Sequence, residues 1–366
     1  YKFLQEANIS LSHGPSPKFK KSYALLESEL YDLPLSMQTL VSTNVLSVPD
    51  KVELASLLMR LTAIATGDLL STSFQSWLEA TVRSARLRSV ITAMVRLSTY
   101  CNNPAKLSAG VAIRQLAKST RGVVYLDYGW QSLVDPLYEL SRSAITEMFA
   151  ADVCAVNPEK HEVEIVIDKQ KHRFDAVILA IPPSGVNKLL PNAYADNQIR
   201  AARPSRIACL DVGLAKLPVE DNGFVLGIDE PLYFSVHSSA AKLSDGEGAV
   251  LHAAVYLAPK ETGDERQEKR LSALLDMMQP GWQSQVVFKR YLPNMSASFG
   301  SPTAENNGCN GAKTVTLTSA PNVFICGDWV GSEHLLADAA VATAQEAAFA
   351  ALEQVRHTAK ARNATV

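Results

Sequence analysis

The sequence predicts an α/β protein with an α+β second domain: a discontinuous layered domain, and a second one built from helices and an antiparallel sheet. Three observations carry this. The apolar periodicities change in order, helical over residues 1–104, α/β over 105–195, mainly strands over 196–305, and α/β again over 306–366. Val177-Ile178-Leu179-Ala180-Ile181 is a continuous apolar run ended by Pro182-Pro183, which suits a strand buried in a parallel sheet. Near the end, a strand over 323–326 runs into Gly327-Asp328 and then an Ala-rich helix over 335–356. The chain has 366 residues, 47% hydrophobic and 20% charged, enough for two domains at about 150 residues each.

Taken in order, Leu25, Leu26 and Leu30 suggest an early helix. Val52, Leu54, Leu57, Leu58 and Leu61 recur at helical spacing behind Pro49-Asp50, a good helix start. Helices follow near 73–82, 84–99 and 106–118, with Pro104 separating the last two. From Gly122 the pattern changes. Val123-Val124-Tyr125-Leu126 reads as a short strand, and a helix near 130–145 contains Pro136, which marks its start or a kink. Strands are expected near 151–156 and, by alternation, over 161–167. Longer strands fill 205–260, with turns at Asp221-Asn222-Gly223 and Asp245-Gly246. A charged helix covers 263–279, Val286 begins another strand, and the Gly- and Asn-rich stretch 300–313 is a loop.

Charge is nearly balanced, 35 Lys and Arg against 37 Asp and Glu, which argues against nucleic acid as the main partner. The balance is uneven along the chain: residues 1–121 carry 14 basic against 8 acidic side chains. Such a surface first suggests a solvated helical face, with an anionic ligand or peripheral contact with anionic lipid as the alternative. The five cysteines, Cys101, Cys154, Cys209, Cys309 and Cys326, include no CxxC pair, and the seven histidines show no HExxH spacing. That pattern predicts thiols in a reducing, cytoplasmic setting and no metal centre. No apolar run reaches the roughly 18 residues of a membrane span.

The densest chemistry lies in Pro321-Asn322-Val323-Phe324-Ile325-Cys326-Gly327-Asp328-Trp329-Val330-Gly331, continuing to Leu335-Leu336-Ala337-Asp338-Ala339-Ala340. A strand delivers Gly327 and Asp328 to the carboxyl edge of a sheet, where ligands of open α/β sheets bind. Gly327 lets backbone approach a ligand closely, and Asp328 can accept hydrogen bonds from hydroxyls. The following helix points its positive end at the same place. A plain strand–turn–helix with an Asp cap explains the segment equally well.

This segment resembles the C-terminal flavin-binding motif of FAD-dependent amine oxidase and phytoene-desaturase-like oxidoreductases. Gly129-Trp130-Gln131-Ser132-Leu133-Val134-Asp135 is similar to the family's Gly-Gly-Trp-Gln segment, with Tyr128 at the first Gly. Residues 175–183 look like its strand returning to the FAD domain, and Pro280-Gly281-Trp282 and Arg290-Tyr291-Leu292-Pro293 look like a phytoene-desaturase-like subgroup. The resemblance implies a glutathione-reductase-like, Rossmann-type FAD domain. Asp328 would hold the ribityl chain, next to Gly327 and Trp329. Backbone around Ala337, Asp338 and Ala339 would meet the flavin pyrimidine edge. The backbone of Val153 would contact adenine, and Ala180 and Pro182 would lie near the dinucleotide. It further implies hydride removal from a small apolar substrate or an amine, with oxygen, a quinone or another acceptor reoxidising the flavin. No catalytic residue emerges; His334, Lys216, Lys289 and Arg290 are candidates near a substrate, with solvated roles as the alternative.

Two departures from the family pattern stand out. Thr343-Ala344 replaces a common Ser-Gly in the last helix. The opening GxGxxG βαβ unit is missing: the first glycine is Gly14, and Gly246-Glu247-Gly248 lies between strands. With Tyr1 in place of Met, this predicts a chain entered after that unit. The second expectation is therefore a truncated or degenerate relative without flavin, acting as a binding protein, with strand edges open to another chain or a second copy.

Overall fold

The computed structural model describes residues 2–12, 19–191, 199, 202–244 and 246–364; the Gly14 turn and Asp245 lie outside them. The chain opens differently from the helical expectation. Strand β1 (Lys21–Leu26) turns back through Glu27 and Ser28 into β2 (Glu29–Asp32). Both turn residues are left-handed, with φ of 52° and 66°, the geometry whose twist matches a two-residue hairpin. Leu25, Leu26 and Leu30 are thus strand residues, placed by pairing across the hairpin.

Strands β3 (Val153–Pro158), β4 (Val163–Ile167) and β5 (Gln170–Phe174) form a small antiparallel sheet. Strand β6 (Val177–Leu179) follows, and then β7 (Ser205–Leu214), β8 (Asn222–Gly227), β9 (Leu232–Val236), β10 (Ala249–Tyr256) and β11 (Val286–Ser298). The last two are β12 (Thr316–Leu317) and β13 (Ala320–Ile325). The expected strand at 123–126 does not form; Leu126 makes only an isolated bridge.

The main sheet has seven strands in the order β11-β7-β10-β9-β8-β1-β2. Its pleat sends alternate side chains to opposite faces. Ala208, Leu210, Val212 and Leu214 of β7, Leu251, Ala253 and Val255 of β10, and Phe234 of β9 meet helix Glu265–Met278 and Trp282. Toward the β1 and β8 side, the opposite face carries Ala24, Leu26, Phe224 and Leu226. These pack on helices Val48–Arg60, Phe74–Thr81, Ala85–Thr99 and Ala109–Ser119. A serine starts each of these helices, and three of them, Ser47, Ser73 and Ser84, accept from backbone N–H three residues on, at 3.4, 3.1 and 3.3 Å. Ser47, one turn position before Pro49, sets the helix start slightly earlier than Pro49-Asp50 suggested.

The α/β unit is smaller. β13 lies between β12 and β6 and runs parallel to β6, with Ile325 opposite Leu179. Helix Leu336–Ala364 packs on it through Ala347 and Ala351. β6 is parallel as expected but not buried on both faces, since Ile178 is 40% exposed. Helix Gln131–Ser141 continues through Pro136 and buries none of its residues; Trp130 before it is 66% exposed. Among the described residues no helix is long and apolar enough to cross a membrane.

Phe234 is fully buried between the sheet and helix Glu265–Met278. Phe234→Ala is expected to cost about 3–5 kcal/mol of stability, read as a lower urea midpoint. An unchanged midpoint would show that this layer does not hold the sheet.

Candidate functional site

Two regions bring chemistry together. At the carboxyl edge of the parallel pair β6–β13, Ala180 and Pro182 leave β6 beside Gly327 and Asp328 leaving β13. Gly327 has φ of +142°, and a Cβ there would meet the Trp329 indole nitrogen at 3.0 Å. Its N–H donates to Thr343 Oγ1 at 3.0 Å. The Thr343 hydroxyl in turn donates within reach of Gly327 O, 3.1 Å, and Ala339 O, 2.7 Å. Thr343 is buried and staples the turn to the helix, with its methyl near Gly331.

Asp328 is half-buried, and its Oδ2 accepts the Phe299 N–H at 3.0 Å, which ties the turn to the end of β11. Trp329 is 1% exposed, with its indole N–H donated to Ile181 O at 3.2 Å, so its side chain is internal. The helix begins after Leu335, whose carbonyl accepts the Ala339 N–H. Leucine has no side-chain acceptor to offer the first helical N–H groups. Ala337 and Asp338 are exposed there and Ala339 is buried. Val153 is half-buried in β3 and packs on the same core. His334 is exposed beside Lys118, 3.4 Å away.

A flavin's sugar and pyrimidine portions fit this turn: a glycine with positive φ and a half-buried carboxylate at the edge of the parallel strands. Among the described residues no glycine-rich phosphate cradle forms. Gly246 has φ of +68° and Ser244 bonds Gly248 O, which makes Gly246-Glu247-Gly248 a plain turn. Tyr128, standing at the family's first Gly, adopts φ of +63°, a left-handed conformation that glycine favours.

The second region is on the large sheet, on the face opposite helix Glu265–Met278. Asp211 of β7 lies directly across from His252 of β10 and Arg290 of β11. His252 Nδ1 is 2.6 Å from Asp211 Oδ1, and the Cys209 thiol donates to the same oxygen at 3.1 Å. Arg290 holds Oδ2 through Nη2 at 2.6 Å and Nε at 3.2 Å. Burial alone would raise the Asp211 pKa. Hydrogen bonds from His252, Arg290 and Cys209 outweigh it and hold the carboxylate well below its usual range. Burial and the adjacent Asp211 push the Cys209 thiol up.

The His237 ring lies 4.1 Å from that of His252, and Tyr125 meets His237 edge-on at 4.9 Å. Tyr233 bonds His237 Nε2 at 3.2 Å and Ser235 at 2.9 Å. Tyr256 stands beside Tyr233, over Arg96. Burial, with His252 next to it, lowers His237 to about 3, so its ring is neutral at pH 7. Burial pushes the phenols of Tyr125, Tyr233 and Tyr256 up. The result is a neutral aromatic surface beside a fixed ion pair.

Sequence reasoning reached only Arg290 in this cluster. The available signal was period two: Cys209 and Asp211 alternate with apolar Ala208, Leu210 and Val212, and His252 interrupts an apolar strand. Lys289 and Lys216, also considered, pair with Glu268 and Glu247. Pro280-Gly281-Trp282 is structural: Gly281 is left-handed, and buried Trp282 donates to Asp276 on the opposite face of the sheet.

The model of the flavin containing amine oxidoreductase family matches residues 1–352. Among solved structures, an oxidoreductase from Methanosarcina mazei has TM-score 0.73 at 14% identity, covering 94% of this chain and 83% of that one. Cyclohexylamine oxidase from Brevibacterium oxydans has TM-score 0.65 at 14% identity, covering 97% and 85%. A putrescine oxidase bound to putrescine has TM-score 0.65 at 14% identity, covering 99% and 85%. At that identity these likenesses show the fold alone, an α/β FAD-binding fold. No curated protein matches the chain.

Two variants test the turn. Asp328→Ala should leave less FAD on the protein after gel filtration than the parent retains; equal occupancy would remove Asp328 from the cofactor site. Thr343→Val keeps the volume but deletes the staple, and should cost about 1–3 kcal/mol, seen as a lower thermal midpoint. An unchanged midpoint would show the staple is idle.

Proposed function

The chain belongs to the flavin-containing amine oxidoreductase family and is an FAD-dependent oxidoreductase, and on that premise we propose what it oxidises. Its substrate is a small molecule with an apolar, ring-sized body and a nitrogen beside the reacting C–H bond, lying on the Tyr125–His237–Tyr233 face. Bound FAD supplies the hydride acceptor. The chain supplies position and dryness. Gly327, Asp328, Ala337, Asp338 and Ala339 hold the flavin at the strand–turn–helix, with Ala180, Pro182 and the Val153 backbone on the dinucleotide side. The tyrosines exclude water and orient the substrate.

One observation carries the reading: the rings of Tyr125, His237 and Tyr233 form one neutral cluster, backed by the buried Tyr256, on the sheet whose edge strand β11 ends next to Phe299, the residue whose N–H donates to Asp328. Asp211 is not the amine's anchor, because Arg290 and His252 already hold its charge.

The test is anaerobic mixing of the FAD-loaded protein with cyclohexylamine, putrescine and a cyclic alkene without nitrogen. Bleaching of the flavin by the cyclic amine is the expected result; no bleaching by any amine overturns the reading. Tyr125→Ala should slow that bleaching by about tenfold or more while FAD content holds. An unchanged rate would take Tyr125 off the substrate surface.

A further inference from the structure

The Cys209–Asp211–His252 cluster has a property that neither FAD binding nor hydride transfer uses. Cys209 and Asp211 are two residues apart on β7, so both side chains leave the same face. His252 is directly opposite Asp211 on antiparallel β10, where side chains on one face are nearest neighbours. The sulfur, one carboxylate oxygen and one ring nitrogen all lie within 4.8 Å of one another. Two hydrogens, on Cys209 Sγ and His252 Nδ1, converge on a single oxygen, Asp211 Oδ1, at 3.1 and 2.6 Å. A cation at that convergence replaces both hydrogens at once.

We propose that Cys209, Asp211 and His252 form a three-ligand site for a soft divalent cation of the zinc type. The ligand set decides the class. Thiolate and imidazole favour zinc over magnesium or calcium, which need six or more oxygens. Zinc takes sulfur at about 2.3 Å and nitrogen or oxygen at about 2.0–2.2 Å. Small side-chain rotations that part the three ligands therefore admit it. On binding, the Cys209 thiol gives its proton to water, and His252 carries its hydrogen on Nε2. Arg290 occupies Oδ2, so Asp211 binds through Oδ1 alone, with Arg290 as the outer partner that fixes the carboxylate. His252 is part-exposed, which leaves a route for the ion and a fourth position for water. The site is independent of the substrate assignment, and its test reads metal, not turnover.

The experiment loads the full chain with zinc chloride, dialyses it against metal-free buffer and measures bound metal by mass spectrometry. A second sample takes cobalt chloride, read as a difference spectrum against Cys209→Ser. About one zinc per chain should remain, with thiolate-to-cobalt charge-transfer absorption that Cys209→Ser lacks. His252→Gln, at a part-exposed position, should weaken zinc binding about tenfold or more. Cys154→Ser is the control, because Cys154 is the exposed thiol and lies near Asp152; it should keep both signals. Far-UV circular dichroism checks that each variant folds, and His252→Gln stands alone if Cys209→Ser does not. No retained zinc, or equal retention by parent, Cys209→Ser and His252→Gln, overturns the proposal. So does loss of the signals in Cys154→Ser alone.

Discussion

Burying a carboxylate on an inner strand of a seven-stranded sheet costs several kcal/mol unless donors surround it. Asp211 is 7% exposed, and three donors on its own and both neighbouring strands meet it. That requirement fixes the register of β11, β7 and β10 on one face, because a slip of one residue would exchange Asp211 for an apolar neighbour. Through His252 it also positions His237, and through His237 the tyrosine surface. The opposite face of the same strands has only to be apolar, and helix Glu265–Met278 covers it. One pleat therefore separates a face that stabilises from a face that holds chemistry.

The α/β unit solves a different problem. Its last strand has to stop abruptly and pass backbone close to whatever binds at its edge. Gly327 provides the conformation, and Thr343 binds both polar groups of that glycine to the helix behind it. The Thr343-Ala344 departure from the family's Ser-Gly is thus accommodated within the packing. Asp328 links this edge to β11 through the Phe299 N–H. The Gly327–Asp328 turn and the large sheet are therefore joined by a hydrogen bond, not only by chain connection.

The strand–turn–helix was legible because everything that makes it lies within one stretch of chain: an apolar run, a glycine, an acid and an alanine-rich helix. Helix Glu265–Met278 was legible for the same reason, with Asp264 as its cap. The β1–β2 hairpin was not. Its turn residues are Glu27 and Ser28, which carry no Asn-Gly signal, and β1 also pairs with β8 from a distant part of the chain. The aromatic and ionic cluster was hidden for a related reason. Tyr125, Cys209, Asp211, His237, His252 and Arg290 come from a loop and several strands, and only the pairing register assembles them. Polar residues alternating through otherwise apolar strands were the one local hint.

On the function proposed above, a flavin is held at the Gly327–Asp328 turn. The most direct measurement is the visible spectrum of the full chain, supplied with FAD and passed through gel filtration. A flavin band near ~450 nm that travels with the protein is expected, close to one flavin per chain. A folded, colourless protein would contradict it.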